Sequence, residues 1–246
     1  MSENYDQIAR DHLAASHQGV SNPFIQEELW QVLESSTLRL IKKYAGPGST
    51  ILDVGVGLGR LLGQVQESRR FGADITFKYL EAAKERGIEV CCAEADDLPY
   101  QEAMFDLVVC TDVLEHVLDL NGALKSILRV LKPGGVLLIR VPDREDLSPY
   151  LASDYPYHYA HLRNFDEAGL RLLISRVFEC EFLETSYVHI CYDVKMKMPL
   201  PSVIKHVATK ILKGVLQRAK TISPSVTRWI YNPLEINMTF RKADKN

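Results

Sequence analysis

Three alternating glycines near residue 55 are the first place in the chain where ligand chemistry is expected. Residues 51–54 form a short apolar stretch typical of a buried strand, and the glycines follow it at once; they are Gly55, Gly57 and Gly59. Glycine permits positive φ angles and lets a ligand approach the main chain closely. Residues 61–65 then show a helix pattern. We therefore expect a strand–turn–helix whose free N–H groups face a polar ligand.

Two acidic residues narrow the identity of that ligand. Asp53 directly precedes the glycines, where its carboxylate would attract an ammonium group and repel a pyrophosphate. Asp74 ends the next apolar stretch and can accept from both hydroxyls of a ribose, although it could equally cap the helix that begins at Phe77. The dinucleotide motif G-x-G-x-x-G is disfavoured because the third glycine comes one residue early. These residues favour a nucleoside with an amino-acid-like end.

The rest of the chain alternates between apolar strands and amphipathic helices. Because such alternation produces a parallel sheet covered on both faces, we predict a doubly wound α/β fold preceded by N-terminal helices. The predicted strands cover 51–54, 71–75, 88–93, 105–110, 136–141, 179–188 and 234–240, and the helices after the glycines cover 77–86, 123–131 and 166–175.

Five segments between residues 50 and 142 resemble the class I S-adenosylmethionine-dependent methyltransferases, in the branch that includes ubiquinone and menaquinone biosynthesis. They read ILDVGVGLG, GADIT, CAEADDLPY, FDLVVCTDVLEHV and RVLKPGGVLLIRVP, in the order and spacing of the family. The resemblance implies S-adenosylmethionine as cofactor. It also implies a Rossmann-like sheet of seven strands with the last strand antiparallel.

The resemblance further implies which residues bind the cofactor. The loop from Asp53 to Gly59 would hold the methionine part and Asp74 the ribose, while Glu94 would accept from the adenine amino group. The full set is Tyr5, Asp53, Gly55, Gly57, Gly59, Asp74, Ile75, Glu94, Ala95, Asp96 and Thr111. Glu94 stands where the family usually has aspartate, which preserves the charge.

Candidates for catalysis lie in two places. Asp112, Glu115 and His116 are spaced to share one face of a helical turn, and His161 follows the fifth strand in an aromatic stretch. A general base helps when the methyl acceptor is a hydroxyl, and histidine is the usual choice. We rank His161 before His116 as the base, with Glu115 assisting. Related ubiquinone-pathway enzymes can bind a divalent cation at the acidic and histidine positions, but we predict no metal here. Structural hydrogen bonding by Glu115 and His116 is the other alternative.

The predicted reaction is O-methylation of a small molecule such as a secondary metabolite, sugar or lipid-linked substrate. N-methylation, C-methylation and non-catalytic cofactor binding are the alternatives. An oxidoreductase is disfavoured by the glycine spacing. A protein that only binds the cofactor is also disfavoured, because polar side chains are available near the expected methyl position: Glu115, His116, His158 and His161.

Charge and composition bear on partners and compartment. The 246 residues carry a formal net charge of −3. The segment between Asp193 and Glu235, however, contains eight lysines and arginines and no acidic residue. We therefore predict a core at 49–188, a basic helical insertion at 189–233 and a last strand at 234–246, after a helical cap at 1–48. The insertion is either an ordinary helix packed on the core with solvated lysines, a lid over the active site, or a contact with an anionic membrane surface, and we favour the lid among the functional alternatives. The acidic remainder of the chain disfavours nucleic acid as a partner. Five cysteines without a CxxC motif and the absence of a signal peptide predict a cytoplasmic protein.

Overall fold

A seven-stranded mixed sheet organises the protein. The computed structural model describes residues 2–17, 27–157, 160–188 and 235–244, together with the single residues 204, 208 and 211. The strand order is β3-β2-β1-β4-β5-β7-β6, with β7 antiparallel to both of its neighbours. The predicted fold class is therefore confirmed. The strands are β1 (Thr50–Val54), β2 (Arg69–Asp74), β3 (Glu89–Cys92), β4 (Phe105–Thr111), β5 (Leu131–Pro142), β6 (Glu181–Val188) and β7 (Glu235–Arg241).

Helices precede the sheet and cover both of its faces. The N-terminal helical prediction is confirmed for the described residues. Asp166 caps the helix Glu167–Leu172, since its Oδ1 accepts from the Gly169 N–H at 2.7 Å. The helices are α1 (Ser2–His17), α2 (Glu27–Tyr44), α3 (Phe77–Glu85), α4 (Leu120–Val130) and α5 (Glu167–Leu172), and α5 continues as a π-helical turn, Leu173–Val177.

The helix predicted directly after the glycines is wrong. Only a single 3-10 turn, Leu62–Gln64, forms there. The reason is distance. β1 has five residues and spans about 17 Å, whereas the nine residues from 60 to 68 would advance only about 13 Å as an α-helix. The chain must therefore return to the start of β2 in a more extended form.

The basic insertion lies almost wholly outside the described residues. Ile204, Ala208 and Ile211 are the described residues of this segment, and all three are helical. The lid and membrane hypotheses for 189–233 remain predictions. In the part of the chain that the structure describes, no helix combines the length and apolar character needed to cross a membrane.

Two apolar clusters occupy the two faces of the sheet. One packs α4 and α5 on a face that includes Val108, Leu137 and Phe240. The other packs α2 and α3 on the opposite face, around Ile51 and Leu138. The central strands are thus buried on both sides, as the apolar runs predicted.

A buried polar network fixes α2 to the sheet. The Arg140 guanidinium donates from Nη1 to Thr37 Oγ1 at 2.9 Å, and that hydroxyl donates to Asn237 Oδ1 at 2.9 Å. Asn237 in turn donates to Ser36 Oγ at 3.0 Å. Arg140, Thr37 and Asn237 are almost completely excluded from solvent. Buried polar groups cost little only when every partner is present, so this network specifies how α2 docks.

Replacing Thr37 with valine should destabilise the fold, because the isosteric side chain removes the hydroxyl that accepts from Arg140 Nη1 and donates to Asn237 Oδ1. We expect a loss of about 1–3 kcal/mol in the free energy of unfolding, measured by urea denaturation. Ser35→Ala is the matched control, since Ser35 bonds only within α2 and is exposed. Equal stability of the two variants would contradict the role of the network.

Candidate cofactor pocket and histidine pair

A cavity of about 410 Å³ opens at the carboxyl ends of β1, β2 and β4. This is the point where the strand order reverses, and open α/β sheets bind ligands there. Helix α1 lies alongside, with Tyr5 and His12 in the cavity wall. Of the predicted cofactor residues, the cavity is lined by Tyr5, Asp53, Gly55, Gly57, Asp74, Ile75, Glu94, Ala95, Asp96 and Thr111, and Gly59 does not line it.

The three glycines serve different purposes. All have positive φ, between 49° and 79°. A Cβ at Gly55 would collide with Val113, and one at Gly59 would lie 2.9 Å from the Ala83 Cα. A Cβ at Gly57 would meet nothing within 4 Å, since this residue borders the cavity. Gly55 and Gly59 therefore permit close packing, whereas Gly57 leaves room for a ligand.

Asp74 organises the glycine loop from the end of β2. Its Oδ2 accepts from the Gly57 N–H at 3.0 Å and its Oδ1 from the Thr76 N–H at 2.9 Å. Burial raises the pKa of Asp74, and these hydrogen bonds counteract part of that rise.

Asp53 is buried and incompletely paired. Its Oδ1 accepts no hydrogen bond from any residue that the structure describes. Burial raises the pKa of this carboxyl well above its ordinary value, while the charge of Arg140 acts in the opposite direction. A buried carboxylate without a donor is costly, so Asp53 is arranged to receive a donor from a ligand.

The wall of the cavity is acidic overall. Arg60 and Arg140 are the two arginines in this wall. Arg60 stacks on Trp30 at 3.9 Å and bonds Glu34 at 2.8 Å, so its charge is already paired. The carboxylate residues in the wall are Glu34, Asp53, Asp74, Glu94, Asp96, Asp112 and Asp119. This balance favours a cationic ligand over an anionic one.

Two histidines lie next to each other beyond β4. The rings of His116 and His161 meet edge to face with centroids 4.6 Å apart, and Tyr5 contacts the other side of His116 at 5.8 Å. His116 lines the cavity, whereas His161 and Glu115 do not. Burial, together with the neighbouring His161, lowers the pKa of His116 to about 4. His116 is therefore neutral at physiological pH.

Glu115 lies close to His116 and His161 and forms a three-residue cluster with them. It is buried, and neither carboxylate oxygen accepts a hydrogen bond from the described residues. Burial and the nearby charge of Asp112 raise its pKa well above the ordinary value. Donor atoms of Glu115, His116 and His161 all lie within 4.8 Å of one another, a donor set that divalent cations accept. Our prediction that no metal binds is not tested by this geometry.

Glu145 and Tyr150 extend the cluster on its far side. Glu145 Oε2 bonds His161 Nδ1, and Tyr150 donates to Glu145 Oε1 at 2.6 Å. Burial alone would raise the pKa of Glu145, but the hydrogen bonds from His161 and Tyr150 outweigh it and hold this pKa below its ordinary value. Glu145 is therefore an ionised acceptor.

Comparison with known proteins gives a consistent result. Residues 52–139 match the sequence model of a family described as "Methyltransferase domain". A tRNA (carboxymethyluridine(34)-5-O)-methyltransferase from Arabidopsis thaliana is 38% identical over 106 residues, which cover 41% of this chain and 26% of that protein. A demethylmenaquinone methyltransferase from Corynebacterium urealyticum is 31% identical over 118 residues, 47% of this chain and 49% of that one. This chain thus spans less than half the length of these two relatives.

Solved structures agree with these matches at the level of the fold. That of an S-adenosylmethionine-dependent methyltransferase from Thermotoga maritima has a TM-score of 0.61 at 19% identity, covering 98% of this chain and 100% of the other. The chain carries a class I S-adenosylmethionine-dependent methyltransferase domain. Its cofactor is S-adenosylmethionine.

The cavity of the methyltransferase domain fits that cofactor by its own chemistry. Asp53 Oδ1 lacks a donor, which the α-ammonium group would supply. Gly57 leaves open space beside its main chain. The acidic wall suits a molecule that carries a sulfonium and an ammonium group.

Several residues of the site were missed from the sequence. Trp30 and Arg60 close one corner of the cavity, and Tyr79 bonds His12 at 3.0 Å in the same corner. They come from separate helices and loops with no shared spacing, so no local pattern marks them. Arg140 carried a weak signal, since it falls at the end of the predicted strand 136–141, where α/β proteins place ligand-binding groups. Glu145 lies four residues beyond that strand, in the loop that follows it.

Alanine at Gly57 and at Gly59 should separate cofactor binding from packing in the methyltransferase domain. We expect Gly57→Ala to lose at least tenfold in affinity for S-adenosylmethionine and only about 1–2 kcal/mol of stability, the cost of a left-handed backbone for alanine. Gly59→Ala should lose more stability, because its Cβ meets the Ala83 main chain. Calorimetric titration and thermal unfolding measure both quantities. Normal cofactor binding by Gly57→Ala would disprove the loop assignment.

The neutral state of His116 should appear in the pH dependence of stability. Its pKa is about 4 in the folded domain and about 6.5 when unfolded. The unfolded chain thus binds more protons between these values, and stability falls as the pH drops through this window. We expect His116 to contribute a loss on the order of 3 kcal/mol between pH 7 and pH 4. Urea titrations of wild type and His116→Asn between pH 7 and pH 4 isolate this contribution, and parallel profiles would contradict it.

Proposed function

We propose that this methyltransferase domain methylates a hydroxyl group of a small-molecule acceptor, with His161 as the general base. The observation that carries the proposal is the histidine pair beside the cofactor cavity. His116 lines the cavity and packs on His161, and an ionised Glu145 supports His161 from behind. Such an arrangement suits removal of a proton from a bound acceptor.

The proposed binding roles follow the geometry of the cavity. Asp53 would receive the cofactor's ammonium group, and Asp74 the ribose hydroxyls. Ile75, Ala95 and the segment around Glu94 and Asp96 would border the adenine. The loop at Gly55–Gly59 and the main chain at Thr111 would hold the methionine part, with Tyr5 of α1 closing over it. These residues line a single cavity apart from Gly59, which supports the loop from behind.

The chemistry needs alignment and one proton acceptor. When bound, S-adenosylmethionine would supply an electrophilic methyl group for the acceptor oxygen, with its sulfur as the leaving group. The protein holds the acceptor oxygen in line, which is catalysis by proximity and orientation. His161 accepts the hydroxyl proton. His116 packs against His161 and is neutral, so no second positive charge lies beside the His161 imidazolium that forms.

A second candidate acceptor is tRNA. The favouring observation is the 38% identity to the tRNA methyltransferase from Arabidopsis thaliana. The acidic wall of the cavity opposes it, because a phosphate backbone approaching this rim would meet mostly carboxylates. Incubation with labelled cofactor and either bulk tRNA or a metabolite extract distinguishes the two. Label in the metabolite fraction alone supports our proposal.

The cofactor site can be tested without knowing the acceptor. Asp74→Ala should bind S-adenosylmethionine roughly 10- to 100-fold more weakly, because a charge-assisted contact contributes about 1.5–3 kcal/mol. Glu102→Ala removes an exposed carboxylate outside the cavity and should bind normally. Calorimetric titration measures both, with NAD as the competing ligand. Unchanged affinity in Asp74→Ala, or binding of NAD in place of S-adenosylmethionine, would reject the assignment.

A further inference from the structure

We propose that Glu145 is a positioning residue that holds His161 in one tautomer, with the proton on Nδ1 and the basic lone pair on Nε2. This inference rests on the proposed function, in which His161 is the base. It adds the group that decides which nitrogen of His161 takes the proton.

The hydrogen-bond pattern requires this tautomer. Glu145 Oε2 contacts His161 Nδ1 directly. An ionised carboxylate only accepts hydrogen bonds, so the proton between the two groups belongs to Nδ1. Tyr150 donates to the other oxygen of Glu145 at 2.6 Å, which fixes the plane of the carboxylate. Both oxygens of Glu145 are thus committed, and Nε2 is the nitrogen left to accept a proton.

The loop between β5 and α5 brings the two residues together. Asp143 pairs with Phe165 as a β-bridge, and the Arg144 N–H donates to the Phe165 carbonyl at 2.7 Å. Asn164 Nδ2 donates to the Glu145 carbonyl at 3.2 Å. The two ends of the loop are therefore clamped, with Glu145 just inside one end and the histidine just inside the other. Because the loop is clamped, Glu145 and His161 are already ordered. Acceptor binding therefore carries no additional entropic cost for ordering this pair.

His116 supports the same arrangement from the cavity side. Its Nδ1 lies 3.3 Å from the Ala160 carbonyl, which can only accept, so His116 carries its own proton there. Its ring packs edge to face on His161 and limits rotation of that ring. The ring of His161 is thus held at Nδ1 by Glu145 and across its face by His116.

Proton transfer balances within this group. The acceptor hydroxyl gives its proton to Nε2 of His161, and the imidazolium keeps its Nδ1–H on Glu145. The carboxylate remains ionised throughout and stabilises the positive charge that forms on the ring, as in other carboxylate–histidine pairs.

Imidazole nitrogen NMR tests the proposal on the intact chain without an acceptor. At about pH 8, where histidines are ordinarily neutral, the wild type should show His161 as a single tautomer protonated at Nδ1. The signals are assigned by their loss in His161→Asn. In Glu145→Gln the amide can turn either its oxygen or its NH₂ group toward Nδ1, so we expect a mixture of tautomers. Glu145→Asp keeps a carboxylate and should retain the Nδ1–H form.

Controls separate positioning from general damage. Glu167→Gln changes a comparable tyrosine–glutamate pair, because Glu167 accepts from Tyr187 outside the cavity. It should leave the His161 signals unchanged. Glu145→Gln should bind S-adenosylmethionine within twofold of wild type. With an acceptor identified from the labelled metabolite fraction, kcat should fall roughly tenfold or more in this variant, a part of the roughly 10²- to 10⁴-fold that a positioned general base contributes.

The outcomes distinguish this inference from the proposed function. An unchanged Nδ1–H tautomer in Glu145→Gln, or a wild-type His161 protonated at Nε2, would overturn the role of Glu145 even if the cofactor binds well. Failure of the wild type to bind S-adenosylmethionine would reject the proposed function, while the NMR spectra would still decide how Glu145 acts on His161.

Discussion

The buried guanidinium of Arg140 is the interaction on which the rest of this structure depends. A charge placed inside a protein destabilises it unless ionic and hydrogen-bonding partners surround it. Here β4 supplies Asp112 just past its end, β7 supplies Glu235 and α2 supplies Thr37. Three separate elements must therefore converge on one side chain of β5. The docking of α2, the position of the last strand and the turn after β4 are all constrained by the same cation.

The turn after β4 connects Arg140 to the cavity, because Asp112 both pairs with Arg140 and lines the cavity wall. Asp112 adopts a φ of 56°, which is uncommon for a residue other than glycine, and its carboxylate faces Arg140. Asp53 and Glu115 stand nearby, buried and short of donors among the described residues. Carboxyl groups thus outnumber cations at the end of β1. A cationic cofactor suits this balance, because a nearby positive charge favours the ionised form of buried carboxyl groups whose pKa values are raised by burial.

The proposed acceptor side depends on a different structural feature. Glu145 and His161 are separated by a loop of 15 residues whose ends are held together by the bridge between Asp143 and Phe165. Their pairing, and the packing of His161 on His116, come from the clamped loop and from the end of β4. The proposed cofactor and acceptor sites thus lie on neighbouring but independently built parts of the same sheet edge.

The sequence by itself determined the sheet, the glycine loop and the cofactor class. Apolar periodicity and the Gly55–Gly59 spacing are local signals, and local signals survive in a single sequence. The tertiary structure decided the rest. The helix predicted after the loop is reduced to one 3-10 turn, because the few residues between the loop and β2 would not span the length of β1 as an α-helix. The pairing of Arg140 with Thr37 and of Glu145 with His161 joins residues far apart in the chain. No spacing rule encodes such pairs, because only the packed sheet sets the distances between them.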